Sequence, residues 1–595
     1  MHHSKTIVHV THETTHKIGG IGAVLEGLLT AESYRNEVGR SVLLGPMFKK
    51  QHVAEQRLGP EGQVLYSSLD GITDHPYKTV FQDVERKFGV SVVYGYRTFY
   101  QPGGGNSVDV EVILVDTTEV NPNPVNALKA WLFDDFGIES LGFEGDPEYE
   151  QYVRLAPAAL ALLRGIDVSD PNQPAVLISH EYMGMPTILA AILDPLGTFK
   201  TMYYAHEVPS VRRIIENYPG HDTMFYNTLR RAGQRQYYLA DIFGPQDSSF
   251  RHALTCASRY CDNIVVVGDQ VKDELRFLSL DFNHVAIDLA YNGIGTREIS
   301  LESKLASKSK LQQYAQNLLG YRPDYVFAHV ARMAISKGFW RDFRVLEHLD
   351  KQFQKDNRTG IFFLLSTDAP ARNPGKIREM ETAWDWPVAH KQGYPDLCGA
   401  EIDFYPALQS FNARSQNIKA VLVNQFGWDS SICGSRMPGE MTFEDLRQGC
   451  DIEFGQSVYE PFGIAQLEPL GYGAICVPSN VCGCYGFVEQ LCGEELPANI
   501  IKADYVRADL NWPKIDIQNL LSINQQFRDR IEMAVSAEIA RDILQRLPRN
   551  DDQAEALIRS GYEIARQMTW EKVSKSYFLP ALDRAYRRFR TRQIA

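Results

Sequence analysis

Two carboxylates, Glu460 and Glu468, and two cations, Arg332 and Lys337, stand in short motifs able to bind or react. Glu460 and Glu468 are set as Glu-x7-Glu in Tyr459-Glu460-Pro461-Phe462-Gly463-Ile464-Ala465-Gln466-Leu467-Glu468, where a strand-like run becomes helix-like. A helix rises ~1.5 Å per residue, so a fully helical segment puts the two α-carbons ~12 Å apart, too far to serve one reacting atom. Each must hold a different part of a ligand. A nucleotide sugar, two hydroxylated ends joined by a charged middle, has that outline. Arg332 and Lys337 follow the strand-like run Tyr325 to Val330. The loop after a parallel strand's carboxyl end is where open α/β sheets bind ligands. There a guanidinium fork and a compact ammonium can clamp a diphosphate as negative charge builds on it. Each pair taken alone also suits solvated surface side chains, so the functional reading rests on their joint occurrence.

Glycine-flanked helix starts offer further anion sites. The first strand leads into Lys17-Ile18-Gly19-Gly20-Ile21-Gly22, and a later one into Val477-Pro478-Ser479 and Cys482-Gly483-Cys484. Glycines allow close backbone approach, and the unpaired N–H groups of a helix start attract an anion. Neither run is a P-loop, and neither completes the Gly-x-Gly-x-x-Gly dinucleotide fingerprint. His180 and His206 each close a strand-like run in the first half.

These residues need a scaffold of alternating strands and helices. Apolar runs recur at Ile7 to Val10, Val42 to Leu44, Val92 to Tyr94, Val112 to Val115, Val176 to Ile178, Met202 to Tyr204, Ile264 to Val267 and Val285 to Leu289. The pattern restarts at Tyr325 to Val330, Ile361 to Leu365, Val421 to Val423, Ile452 to Phe454 and Ala474 to Val477. Fully apolar strands between helical stretches predict parallel sheets covered on both faces, and 595 residues exceed one hydrophobic core. Gly103-Gly104-Gly105 reads as a hairpin or lid tip. Asn424 to Gly449 reads as a long loop without an assigned role.

A net charge of −13 argues against nucleic-acid coating. No apolar run approaches the ~20 residues of a membrane-spanning helix. Nine dispersed cysteines read as reduced thiols. Met1 to Lys5 lack a signal-peptide apolar region, and the cytoplasm is the expected location.

Together, Lys17-Ile18-Gly19-Gly20, Arg332-x4-Lys337, Glu460-x7-Glu468, Ser179-His180-Glu181, Tyr203-Tyr204-Ala205-His206, Asn292-Gly293-Ile294 and Met568-Thr569-Trp570-Glu571-Lys572-Val573 resemble the motif set of glycogen and starch synthases. These are retaining glycosyltransferases of the GT-B superfamily. The resemblance runs along nearly the whole chain in the family's order. It implies an α/β fold of two Rossmann-like doubly wound domains facing a deep inter-domain cleft, with a C-terminal helix crossing back to the first domain. The expected parts are an acceptor-side domain over 1–297, a helical connector over 298–320, a nucleotide-sugar donor domain over 321–567 and the crossover helix over 568–595.

The resemblance also implies roles. Arg332 and Lys337 hold the diphosphate, Gly19, Gly20, Gly483 and Cys484 lie by the phosphates, and Lys17 closes over the donor. Glu460 binds hydroxyls of the transferred sugar with the amides around Phe462 and Gly463, Glu468 holds the ribose, and His206 sits beside the sugar. No metal or cofactor is expected. The partners are a nucleotide sugar and an α-glucan or other hydroxyl acceptor, with neither nucleic acid nor membrane, and a homo-oligomer suits an enzyme of this size. Two features depart from the family. Pro469 interrupts the helix at Glu468, and Cys482-Gly483-Cys484 replaces other small or polar residues. Three readings stay open: transfer to an α-glucan from ADP- or UDP-glucose, transfer to a small or non-glucan acceptor, and a catalytically silent nucleotide-sugar or glycan-binding protein.

Overall fold

The computed structural model of the protein describes residues 5–15, 19–48, 53–59, 62–169, 173–493, 495–507 and 515–588. The chain divides into two compact units, one built from residues 5–211, 233–293 and 570–588, the other from 212–232 and 294–569.

The first unit holds β1 (Lys5–Val10), β2 (Val38–Pro46), β3 (Gly62–Ser67), β4 (Ser91–Tyr100), β5 (Ser107–Asp116), β6 (Ala175–His180), β7 (Phe199–Ala205), β8 (Asn263–Val266) and β9 (Ile287–Leu289). They form one nine-stranded sheet in the order β3-β4-β5-β2-β1-β6-β7-β8-β9. The strands from β5 through β9 pair in parallel, and β6 is buried along its whole length, as a strand covered on both faces must be. The β3–β4–β5 edge is antiparallel, a departure from the all-parallel expectation. For β4 and β5 the cause is local, since Gly103, Gly104 and Gly105 all take positive φ and turn β4 straight back into β5 as a hairpin. Strand β3 has no counterpart among the expected strands because half-buried Gly62–Ser67 lacks a continuous apolar run.

The second unit holds β10 (Tyr325–Val330), β11 (Gly360–Leu365), β12 (Ile418–Val423), β13 (Ile452–Gly455) and β14 (Ile475–Pro478), all parallel, in the order β12-β11-β10-β13-β14. Asn424 to Gly449, unassigned from sequence, adds Trp428, Cys433, Met437 and Met441 to the core on one face of this sheet. The helix Leu301–Leu319 belongs to this unit. Buried Lys304 ties it down by donating to the carbonyls of Gln448, Cys450 and Tyr472 at 3.0, 3.0 and 2.9 Å. Among the described residues no helix is long and apolar enough to cross a membrane.

Two segments leave their neighbours in sequence. Residues 570–588 join the first unit, where glycines make room for Trp570: a β-carbon on Gly27 would lie 2.2 Å from its ring, and one on Gly293 2.5 Å from its amide nitrogen. Residues 212–232, inside the expected first domain, group with the second unit. A buried ion network explains this placement. Asp222 accepts two bonds from Arg341 at 2.9 and 2.6 Å, Arg341 reaches Glu532 at 2.9 Å, and the guanidinium lies 4.0 Å over the Tyr505 ring. Burial opposes the Arg341 charge, yet the two carboxylates outweigh it and hold its pKa above the ordinary value.

Removing one partner of such a network leaves a buried charge uncompensated, at a cost of about 3–5 kcal/mol. Asp222→Ala is therefore expected to lower the urea midpoint of the second unit's unfolding by that equivalent. A midpoint equal to the parent's would show that the network does not hold 212–232 in place.

Candidate active site

In the second unit the strand order reverses between β10 and β13, which opens a crevice beyond their carboxyl ends. The loops leaving these strands carry Arg332 with Lys337, and Glu460 with Phe462 and Gly463. They are stitched together at Ser336, whose carbonyl accepts the amides of Val458 at 2.8 Å and Tyr459 at 3.2 Å. Gly338 makes the close approach feasible. Its φ is +65°, and an added β-carbon would stand 2.5 Å from the Gln456 carbonyl. The outcome is an ion pair, Lys337 Nζ to Glu460 Oε2 at 2.5 Å, with each side chain 16% exposed. The ammonium expected on a phosphate and the carboxylate expected on a sugar thus hold one another. Arg332, on the same loop, is exposed and forms no ion pair among the described residues.

The backbone beyond Glu460 turns at Gly463, with φ +93°, into the four-residue helix Ile464–Leu467. Amides of Gly463, Ile464 and Ala465 meet no acceptor among the described residues, leaving donors beside Glu460. Phe462 is buried beneath them. The helix tightens into the 3-10 turn Glu468–Tyr472, the break that Pro469 implies. Glu468 is secured by Arg447, whose Nε lies 3.3 Å from its Oε2. Arg447 also donates to Glu453 at 3.1 Å and to the Ala465 carbonyl, while Glu453 accepts the Val330 amide at 3.0 Å. Burial pushes the Glu453 carboxyl up, and Arg447 works against that. Glu468 remains about one-third exposed, at 31%.

Gly483 and Cys484 are placed differently from the expected phosphate cradle. Their amides donate to the carbonyls of Glu460 at 3.3 Å and Phe462 at 2.9 Å. The start of the helix Gly483–Cys492 therefore clasps the loop bearing Glu460 and has no such donors left for an anion. The Cys484 thiol is buried, which raises its pKa well above the ordinary value.

In the first unit the order reverses at β1, between β2 and β6. Beyond β1, Glu13 Oε2 accepts the amides of Gly19 at 2.8 Å and Gly22 at 3.0 Å. The expected phosphate-docking turn already holds the chain's own carboxylate. Gly20 is exposed, with nothing within 4 Å of an added β-carbon, and Lys17 lies outside the described residues. His206 follows β7. Its amide and that of Glu207 donate to Glu181 Oε1, the latter at 2.5 Å. Glu181 holds φ +63° and ψ −172°, a conformation nearly confined to glycine and costing of order 1–3 kcal/mol. Such strain concentrates where a loop must be held in one shape. The His206 ring meets His180 edge to edge, with planes 12° apart and Nε2 2.9 Å from His180 Nδ1. Burial, then the charge of His12, lowers the His206 pKa to about 3, so the ring is neutral near neutral pH.

Sequence reasoning missed Arg447, Glu453, Glu13 and Glu181 as organisers. Glu453 carried a visible signal, a charge inside an otherwise apolar parallel strand. The others meet their partners through loop geometry that spacing does not reveal.

No protein-family model matches the chain, and a search of curated proteins finds no relative of it. Solved structures do resemble it. The catalytic domain of starch synthase IV from Arabidopsis thaliana, bound to ADP and acarbose, matches with a TM-score of 0.53 and 12% identity over 98% of this chain and 100% of that one. The N-terminal domain of Candida albicans trehalose-6-phosphate phosphatase matches at 0.50 and 10% over 98% of each. The likeness is one of fold, and the fold is GT-B.

Glu460→Gln removes the competing carboxylate from Lys337. It is expected to tighten binding of inorganic pyrophosphate about tenfold by calorimetry, the equivalent of ~1.4 kcal/mol. Equal affinity in the two proteins would show that the ion pair does not compete with an anion for Lys337.

Proposed function

We propose that the protein is a glycosyltransferase that moves glucose from a nucleotide diphosphate sugar to a hydroxyl of an α-glucan, with retention at the anomeric carbon and without a metal ion. The observation that carries this reading is the Lys337–Glu460 pair at the second unit's strand-order reversal, with Arg332 exposed beside it on the same loop. An arriving donor exchanges each half of the pair for a better partner. Its diphosphate takes Lys337 and Arg332, and its sugar hydroxyls take Glu460 and the amides of Gly463 to Ala465. Glu468, held by Arg447, is left for the ribose. As the glycosidic carbon–oxygen bond breaks, negative charge grows on the departing phosphate and positive charge on the ring. A cationic clamp next to a carboxylate lowers both costs.

The likeness to a starch synthase catalytic domain bound to ADP and acarbose supports the glucan reading. The likeness to a trehalose-6-phosphate phosphatase domain keeps a small phosphorylated sugar as a second acceptor.

The purified protein is to be incubated with a panel of nucleotide sugars, with and without glycogen, and nucleotide release measured. Release stimulated by glycogen is expected. Release only with a small sugar acceptor selects the second reading, and silence with every donor leaves a binding protein. Lys337→Ala and Glu460→Ala should each lower turnover by ~10²–10³ while unfolding at the parent's temperature. Turnover near that of the parent in either variant removes the assignment.

A further inference from the structure

A line of hydrogen-bonded side chains joins three adjacent strands of the first unit, β2, β1 and β6, and the loop after β7. Ser41 Oγ on β2 lies 2.9 Å from the Tyr34 hydroxyl, which lies 3.0 Å from His9 Nε2 on β1. His9 Nδ1 is 2.9 Å from His180 Nε2 at the end of β6, and His180 Nδ1 is 2.9 Å from His206 Nε2 after β7. Tyr34, His9 and His180 are buried, while Ser41 and His206 at the two ends are partly exposed. The ring centroids are 5.2 Å apart at both histidine contacts, with planes 35° apart for His9 and His180 and 12° apart for His180 and His206, so the rings meet edge to edge through their nitrogens.

A neutral imidazole has one N–H and one lone pair. Each nitrogen-to-nitrogen contact therefore needs one ring to donate and the next to accept, and only two patterns satisfy the whole line. In the first, Tyr34 donates to His9 Nε2 and every ring carries its hydrogen on Nδ1, so His206 Nδ1 is a donor. In the second, every ring carries its hydrogen on Nε2, His9 donates to Tyr34, Tyr34 donates to Ser41, and His206 Nδ1 is an acceptor. Burial keeps the rings neutral. It brings His9 and His206 down to about 3 and His180 well below its ordinary value, the last aided by His206, His9 and His12.

We propose that His9, His180 and His206 share one tautomer, set by the hydroxyl of Tyr34, and that Tyr34 and His9 are positioning residues deciding whether His206 offers a ligand an N–H or a lone pair. The use of that choice rests on the sugar-transfer reading of His206; the shared tautomer does not. Conversion between the patterns balances link by link. Tyr34 gives its proton to His9 Nε2, His9 Nδ1 gives one to His180 Nε2, and His180 Nδ1 gives one to His206 Nε2. His206 Nδ1 releases its own, and Ser41, replenished from water, restores that of Tyr34.

The test is nitrogen NMR of the full-length protein labelled with ¹⁵N-histidine, without any ligand. Expected are ¹⁵N–¹⁵N couplings across both ring-to-ring bonds and the hydrogen on the same-named nitrogen in all three rings. In Tyr34→Phe all three should carry it on Nδ1, because a buried orphan N–H is tolerated less well than a buried lone pair. Ser41→Ala keeps Tyr34 and leaves its hydroxyl only His9, so the same Nδ1 pattern is expected there even if Tyr34→Phe folds poorly. Mixed tautomers in the parent, or a variant in which His9 changes alone, overturn the proposal. An inactive protein with the shared tautomer intact counts against the sugar-transfer reading alone.

Discussion

The candidate site depends on one backbone contact, the acceptance of two amides by the Ser336 carbonyl. Parallel neighbours β10 and β13 bring their loops out on the same side of the sheet, but topology alone leaves those loops free to diverge. Ser336 closes the gap, and Gly338 permits it because any β-carbon would press on the Gln456 carbonyl. Lys337 and Glu460 then have little choice but to meet. Each of these partly buried charges thereby gains a partner. Under the proposed function, a donor must satisfy both charges to displace this contact. A diphosphate lacking hydroxyls beyond it would leave Glu460 stranded.

Under the proposed function, anion recognition falls to side-chain cations. Glu13 uses amides at the first glycine turn, and carbonyls of the Glu460 loop use those at Gly483 and Cys484. Both helix starts act as clasps that shape loops, spending the donors that a phosphate would have taken. What remains open in the second unit is Arg332, the displaceable Lys337 and the short run of amides from Gly463 to Ala465. A Cys-Gly-Cys sequence is tolerable in this setting because its task is to dock on a carbonyl-bearing loop, for which burial and small size suffice.

The parts of this arrangement that were legible in the sequence are those written in local pattern. Apolar runs located every strand except β3, whose edge position removes the continuous apolar signal. The motif pairs around Arg332 and Glu460 pointed to one crevice, and the structure brings Lys337 and Glu460 together there. What escaped detection depends on partners far apart in the chain. Nothing near Asp222 announces that it will meet Arg341, so the move of 212–232 into the second unit was invisible. Helix-start glycines advertise free amides, yet whether they stay free is decided by tertiary contacts.

Beneath each strand-order reversal lies a buried polar network instead of an apolar plug. In the second unit Glu453 links the end of β10 to Arg447 and through it to Glu468. In the first, the histidine line links β2, β1, β6 and the loop after β7. Buried polar groups are costly unless fully paired, and when paired they fix a unique geometry in a way that apolar contacts do not. The two networks differ in kind. Arg447 is a fixed charge that can only hold its carboxylates, which suits a residue positioning Glu468 for a hydroxyl. A line of neutral imidazoles has two states of similar composition, so it can hold His206 in place while leaving its hydrogen-bonding sense open to the ligand.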